Sequence, residues 1–181
     1  MKFDSESHIS RLAAFPDALR ATCAIVSDAD AHWNPADSRP TAHGPAWSIA
    51  QIALHLLLEE QQDFRVRVLS TLRDPSAPWP PIDPEPALAE TWSSGGPELA
   101  TILDDFARER ADSIAQLRAI APTADWSRTH HHPRLGPFTA GQLLACWAAH
   151  DALHLRQIAK RLHQLAVRDS DDGDLAYAGA L

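Results

Sequence analysis

Two histidines placed four residues apart are the first residues of this sequence that could do chemistry. His150 and His154 lie in the segment 138–165, where apolar residues recur at helical spacing and predict one long helix. Side chains four residues apart lie on the same face of a helix, about one turn from each other. Neutral imidazole is a good ligand for zinc, nickel, iron and copper. The spacing therefore predicts that two ligands from one helix could meet at a single divalent ion.

A third ligand is predicted at His55, which lies in an apolar run of a second long helix, 47–72. A lone histidine in such a run is usually a core residue, and this remains the alternative for all three histidines. Three imidazoles from two helices would bind an ion on one side and leave positions for water or substrate, as a catalytic site requires. Zinc fits these ligands best, and nickel, iron and copper remain alternatives.

Both histidine-bearing helices are predicted to begin at a capping box. Ser48 and Gln51 form the motif S-x-x-Q, and Thr139 and Gln142 form T-x-x-Q. In this motif each of the two side chains binds a backbone N–H group that the first helical turn leaves unpaired. The two similar helix starts strengthen the hypothesis that the three histidines belong to one site.

Two carboxylates near the histidines are the candidate catalytic residues. Glu59 stands one helical turn after His55, where it could accept a hydrogen bond from an imidazole, bind the ion or act as a general base. The alternative is a solvated side chain at the rim of the bundle. Asp151 follows His150 and is predicted to face inward, where it would orient a ligand or a tryptophan N–H. The alternative for Asp151 is a surface salt bridge with an arginine.

The rest of the chain predicts two further helices. The first begins near Phe15 and ends near Asp30, with Pro16 in its first turn, and a proline-containing loop follows at 31–46. The third helix runs over 97–120. Its apolar stripe includes Arg110, which we expect to pair with a carboxylate or to extend its charged end to solvent.

The connection between helices two and three is unusually long. Residues 73–96 contain six prolines and are predicted to be irregular, without a helix. We therefore predict an all-α fold, a four-helix bundle with a long crossover between helices two and three. A single domain would cover 1–168, and 169–181 would be an acidic C-terminal tail.

Composition argues against a nucleic-acid partner, a membrane span and secretion. The net charge is −8 and no basic cluster occurs, which argues against nucleic acid. No apolar run reaches the roughly 18 residues that would span a bilayer, and the N-terminus lacks the apolar core of a signal peptide. Cys23 and Cys146 lack C-x-x-C spacing and are predicted to be buried thiols in a reducing cytosol. We expect a cytoplasmic protein.

Three adjacent histidines lie in the predicted loop 121–138. Neighbouring side chains on a loop point in different directions, so His130, His131 and His132 cannot readily converge on one ion. We predict that they are solvated, with one of them at most reaching the mouth of the site.

Two better-known motifs fit poorly. The sequence HDALH resembles the zincin motif H-E-x-x-H, but the shorter aspartate would reach a metal-bound water poorly, and neither a downstream ligand nor a strand-containing domain is visible. A ferritin-like di-iron site is also disfavoured because no Glu-x-x-His occurs.

The two histidine segments together resemble the DinB-like (YfiT-like) family of metal-dependent four-helix bundles. The resemblance is carried by WSIAQIALH at 47–55 and HDALHLRQI at 150–158, and extends over most of 10–166. It implies a Zn or Ni ion held by His55, His150 and His154, and a homodimer. Family members of known activity include S-transferases for low-molecular-weight thiols and a thiol-dependent isomerase.

Three functions are consistent with these residues. The first is a thiol S-transferase that presents a metal-bound thiolate to an electrophile. The second is a hydrolase that uses water at the same ion, with Glu59 or Asp151 as the base. The third is a non-catalytic, dimeric metal-binding or stress-related protein. The expected small-molecule partner is a thiol or an electrophile.

Overall fold

The computed structural model describes residues 3–35, 47–81, 84–93, 95–170 and 176–179. Within these ranges no helix is long and apolar enough to cross a membrane. The helices and strands are α1 (Ser5–Cys23), α2 (Asp28–His32), α3 (Ile49–Gln62), α4 (Phe64–Arg73), α5 (Pro84–Trp92), α6 (Leu99–Ile120), β1 (Thr129–His132), β2 (Gly136–Thr139), α7 (Ala140–Arg168) and a short 3₁₀ helix, Ala176–Ala178.

The architecture is the predicted four-helix bundle. Three of its four columns, the helical positions of the bundle, are the single helices α1, α6 and α7. The fourth column consists of α3 followed by α4. Helix α1 packs against α6 and α7, while α3 packs against the same two helices from another side. The apolar faces enclose two buried clusters, of which one surrounds Leu19, Ile52 and Phe106 and the other surrounds Leu12 and Trp147. Helix α7, which carries two of the three histidines, therefore lies against both halves of the core.

Both predicted capping boxes are confirmed. The Gln51 backbone N–H donates to Ser48 Oγ at 3.2 Å, and the Ser48 N–H donates to Gln51 Oε1 at 2.9 Å. The corresponding distances between Thr139 and Gln142 are 3.0 and 2.9 Å. These contacts stabilise the starts of α3 and α7 and so set where the histidines lie along the bundle.

The predicted bounds of the first two helices were wrong in part. Helix α1 begins at Ser5 rather than near Phe15, because Ile9 and Leu12 are fully buried and extend the apolar stripe; Pro16 consequently lies inside the helix. The second predicted helix is interrupted at Asp63, which separates α3 from α4. Of the predicted loop 31–46, residues 36–46 lie outside the described residues.

The crossover was wrongly predicted to lack a helix. Helix α5 lies within it, with Pro84 and Pro86 in its first turn. A proline is tolerated there because the first backbone N–H groups of a helix have no intrahelical partner. Helix α5 packs on α3, and Leu88 is buried in the core.

The predicted loop 121–138 contains an antiparallel hairpin, in which Thr129 pairs with Thr139 and His132 with Gly136. Gly136 has a φ of +84°, a value that glycine adopts without strain. His130 is buried, not solvated, because its ring stacks on Trp79 with centroids 4.0 Å apart. Its Nδ1 lies 3.0 Å from the Pro75 carbonyl oxygen, so the hairpin is fastened to the crossover.

One cysteine differs from the prediction. Cys23 is buried as expected, but Cys146 is exposed. A helix turns by about 100° per residue, so the buried Trp147 leaves its neighbour on the solvent side. The domain limit at residue 168 stays a prediction, and 171–175 and 180–181 of the acidic tail lie outside the described residues.

Candidate metal centre

The three predicted histidines meet in the bundle. Helix α3 brings His55 and α7 brings His150 and His154, and one nitrogen from each ring lies within 4.8 Å of the others. His150 Nε2 and His154 Nε2 are 2.9 Å apart. Zinc–nitrogen bonds of about 2.1 Å place two ligand nitrogens roughly 3 to 3.4 Å apart. The cluster is therefore of a size that a small rearrangement would fit to one ion.

Burial keeps the three rings neutral. His55 and His154 are 8% and 6% exposed. Burial and the neighbouring His154 lower the pKa of His55 to about 3. Burial lowers the pKa of His150 to about 2, with smaller contributions from His154 and His55. Burial also lowers the pKa of His154. Neutral imidazoles have a lone pair free for a metal ion at pH 7, as coordination requires.

Gln157 orients one of these rings, a role that the sequence reasoning missed. Its Oε1 lies 2.7 Å from His154 Nδ1. An amide oxygen can only accept, so His154 donates its Nδ1–H and its Nε2 carries the lone pair that faces His150. Such a partner fixes the orientation of a ligand ring. The signal was present in the sequence, because Gln157 follows His154 by three residues on the same helix face.

His55 supplies a test of whether a metal ion would fit. Its Nδ1 is buried and has no hydrogen-bond partner among the described residues. Buried polar atoms are normally paired, since leaving one unpaired costs free energy. An ion between the three rings would be coordinated by neutral nitrogens that are already buried, so the donor set fits a divalent metal.

Two aromatic side chains border the cluster. The Trp47 ring lies 4.7 Å from the His55 ring and 6.5 Å from the His154 ring, between centroids. The Phe64 ring lies 5.0 Å from the His150 ring. These walls are apolar, so charges within the cluster are screened less than they would be in water.

Glu59 lies beside the cluster and is buried, which excludes the alternative of a solvated residue at the rim. Its Oε1 is 4.0 Å from His55 Nδ1, too far for a hydrogen bond. Burial and then Asp63 raise the pKa of Glu59 to about 8, while Arg67 opposes this shift. Arg67 forms an ion pair with Asp63 at 2.8 Å. Glu59 also shares a side-chain hydrogen bond with Asp63, which helps to keep its carboxyl group protonated beside the cluster.

Asp151 faces inward as predicted, but its partner is Arg110 rather than a ligand or a tryptophan. The two Asp151 oxygens accept hydrogen bonds from Arg110 at 2.6 and 3.0 Å, and both residues are almost fully buried, so the predicted surface salt bridge was also wrong. The N–H of the neighbouring buried Trp147 donates to Glu60 Oε2 at 3.1 Å instead. Burial raises the pKa of Asp151 to about 6 and Arg110 opposes the rise, so the group is ionised at pH 7.

Arg110 binds a residue of each neighbouring column of the bundle. From α6 its guanidinium reaches Asp151 on α7, Glu60 on α3 at 2.9 Å and the Leu12 carbonyl oxygen on α1 at 3.1 Å. The prediction that Arg110 pairs with a carboxylate is confirmed. Sequence reasoning missed Glu60, because nothing local distinguishes it from a surface glutamate.

The family model described as the DinB superfamily matches residues 11–158. The chain belongs to the DinB superfamily. This confirms the resemblance drawn from the two histidine segments. Among solved structures the chain is similar to a protein described as "YfiT from Bacillus subtilis is a probable metal-dependent hydrolase with an unusual four-helix bundle topology". The TM-score is 0.72 at 19% identity, over 92% of this chain and 90% of that one, so the likeness shows the fold. No curated protein matches the chain.

Neither His131 nor His132 belongs to the cluster, and His130 is held by Trp79 and Pro75 instead. All three candidate metal ligands therefore lie on α3 and α7. Within the described residues no other group of three His, Cys, Asp or Glu side chains is placed to hold an ion.

Proposed function

We propose that this DinB-superfamily protein is a metal-dependent enzyme whose divalent ion, zinc or nickel, is held by His55, His150 and His154. The observation that carries the proposal is the approach of three neutral imidazole nitrogens, from two helices, to within 4.8 Å of one another. Imidazole suits both metals. The description of YfiT as a probable metal-dependent hydrolase supports metal dependence for this fold.

The first reaction we propose is thiol S-transfer. A low-molecular-weight thiol loses its proton to solvent, its sulfur bonds to an electrophilic carbon, and the leaving group departs with the electron pair of its own bond. When bound, the ion would lower the pKa of a thiol or of water enough to supply a nucleophile at neutral pH. Trp47 and Phe64 border the place of reaction with apolar rings. The family resemblance supports a thiol as the nucleophile.

The second candidate is hydrolysis, with water in place of the thiol. The position of Glu59 favours it, because a buried carboxyl group stands 4.0 Å from a ring of the cluster. Its pKa of about 8 keeps it mostly protonated at pH 7, so it would accept the proton of water at a more alkaline pH. Asp151 is the weaker candidate base, since both of its oxygens already accept hydrogen bonds from Arg110.

Metal content, measured by elemental mass spectrometry on tag-free protein, tests the site. We expect about one ion per chain in the wild type and its loss in His55→Ala and in His154→Ala. His131→Ala is the matched control, because His131 is exposed on the hairpin and should leave the metal content unchanged. Retention of the metal in both site variants would contradict the proposed ligands.

Thiol dependence separates the reactions. With metal-loaded protein and a panel of electrophiles, product formation only in the presence of added thiol indicates S-transfer. Product formation without thiol that Glu59→Gln abolishes indicates hydrolysis. If neither occurs and chelation unfolds the protein, the ion is structural and the protein is non-catalytic. We also propose a homodimer, on the family resemblance, which sedimentation velocity would test.

A further inference from the structure

Arg161 is tied to the wall of the candidate metal centre. It follows His154 by seven residues on α7, which places the two on the same helix face about 10 Å apart along the axis. Its Nε–H donates to the Trp47 carbonyl oxygen at 2.6 Å. The ring of the same tryptophan lies 4.7 Å from the His55 ring, so one residue touches both the arginine and the cluster.

The charge of Arg161 has no carboxylate partner among the described residues. Its hydrogen bonds go to two neutral acceptors, the Trp47 carbonyl and the Gln164 side-chain amide. By contrast, Arg65 pairs with Glu109 at 2.9 Å, and Arg67 and Arg110 pair with carboxylates as described above. A guanidinium has five N–H donors, of which these contacts use two. Arg161 is also partly buried, and burial lowers its pKa.

A partly desolvated guanidinium with free donors favours an anion, and it binds a carboxylate with two parallel hydrogen bonds. Side chains of a helix lean toward its N-terminus, which is the direction from Arg161 to His154, so a ligand of a few carbon atoms would span the remaining distance to the histidines. We propose that Arg161 binds the carboxylate of an anionic low-molecular-weight thiol whose sulfur lies at His55, His150 and His154. This proposal rests on the proposed function and makes Arg161 a determinant of substrate class.

Thiol binding can be measured without turnover. Protein loaded with Co(II) is titrated with mercaptohexanoate and with mercaptohexanol, which have the same carbon chain but end in a carboxylate or a hydroxyl. Sulfur-to-cobalt charge-transfer absorbance reports the bound thiolate. In the wild type we expect mercaptohexanoate to bind about tenfold more tightly, as a charge-assisted hydrogen bond allows.

Arg161→Gln should remove this preference and leave the affinity for mercaptohexanol unchanged, while Arg161→Lys should keep part of it. Arg156→Gln is the matched control, since Arg156 is an exposed arginine of the same helix and its loss changes the net charge equally. This control should retain the full preference.

Three results would overturn the proposal. Equal weakening of both thiols in Arg161→Gln would show that the arginine acts only by holding Trp47. Equal affinity of the wild type for both thiols would show that no carboxylate is recognised, although their charge-transfer bands would still support the metal site. Failure of the wild type to bind cobalt would overturn this inference together with the proposed function.

Discussion

Arg110 and Asp151 form an ion pair inside the bundle, with nitrogen–oxygen distances of 2.6 and 3.0 Å and almost no exposure to solvent. Asp151 directly follows the candidate ligand His150. Glu60, which binds the same guanidinium at 2.9 Å, lies on α3 five residues after His55. One arginine on a third helix therefore fixes the two ligand-bearing helices relative to each other.

Loss of this arginine should strongly destabilise the protein. In Arg110→Met, Asp151 and Glu60 would remain buried without their cation, and removal of one partner of a buried pair costs about 3–5 kcal/mol of the free energy of unfolding. Urea denaturation followed by circular dichroism measures the loss. Arg20→Ala is the control, because Arg20 pairs with Asp104 at the surface and should cost at most about 1 kcal/mol. Equal losses in the two variants would contradict the role assigned to Arg110.

Gln157 should increase metal affinity without binding the metal. Gln157→Ala would free the His154 ring to rotate and to change tautomer, and loss of such a partner typically lowers metal affinity about 10- to 100-fold. Competition with a chromophoric chelator gives the affinity. Gln164→Ala is the control, because Gln164 binds Arg161 and no histidine. An unchanged affinity in Gln157→Ala would mean that the contact with His154 does not orient a ligand.

Metal removal should lower thermal stability. An ion that binds only the folded chain stabilises it by about 2.7 kcal/mol when its free concentration is 100 times the dissociation constant. We expect added zinc to raise the melting temperature of chelator-treated wild type and of His131→Ala by the same amount. His150→Ala should show a much smaller rise. A rise in this variant as large as in the wild type would place the stabilising ion elsewhere.

The two cysteines should differ in reactivity. Burial raises the pKa of the Cys23 thiol to about 11, and the thiolate is the nucleophile, so Cys23 remains a protonated, unreactive thiol until the pH approaches that value. Cys146 is exposed. Iodoacetamide at pH 8 should therefore alkylate Cys146 alone in the folded protein and both residues in denaturant, as read by peptide mass spectrometry. Comparable labelling of Cys23 in the folded state would show that the core around it opens readily.

Local spacing was sufficient to predict much of the candidate site. His150 and His154 had to share a face because their relation depends only on the period of one helix. The capping boxes likewise involve residues three apart, and both are present. His55 needed the added assumption that two helices with similar starts lie side by side, and the structure confirms that assumption.

Contacts between residues distant in sequence were decided only by the tertiary structure. Glu60, Arg110 and Asp151 come from three helices, and a sequence does not state which buried charges will meet. His130 is buried because Trp79 of the crossover stacks on it, although its place among three adjacent histidines in a predicted loop had suggested a solvated side chain. The sequence by itself determined the helical periods, their caps and the ligand types, since these follow from neighbours along the chain. Packing decided which carboxylate meets which arginine, because desolvation makes a buried charge depend on partners from other helices.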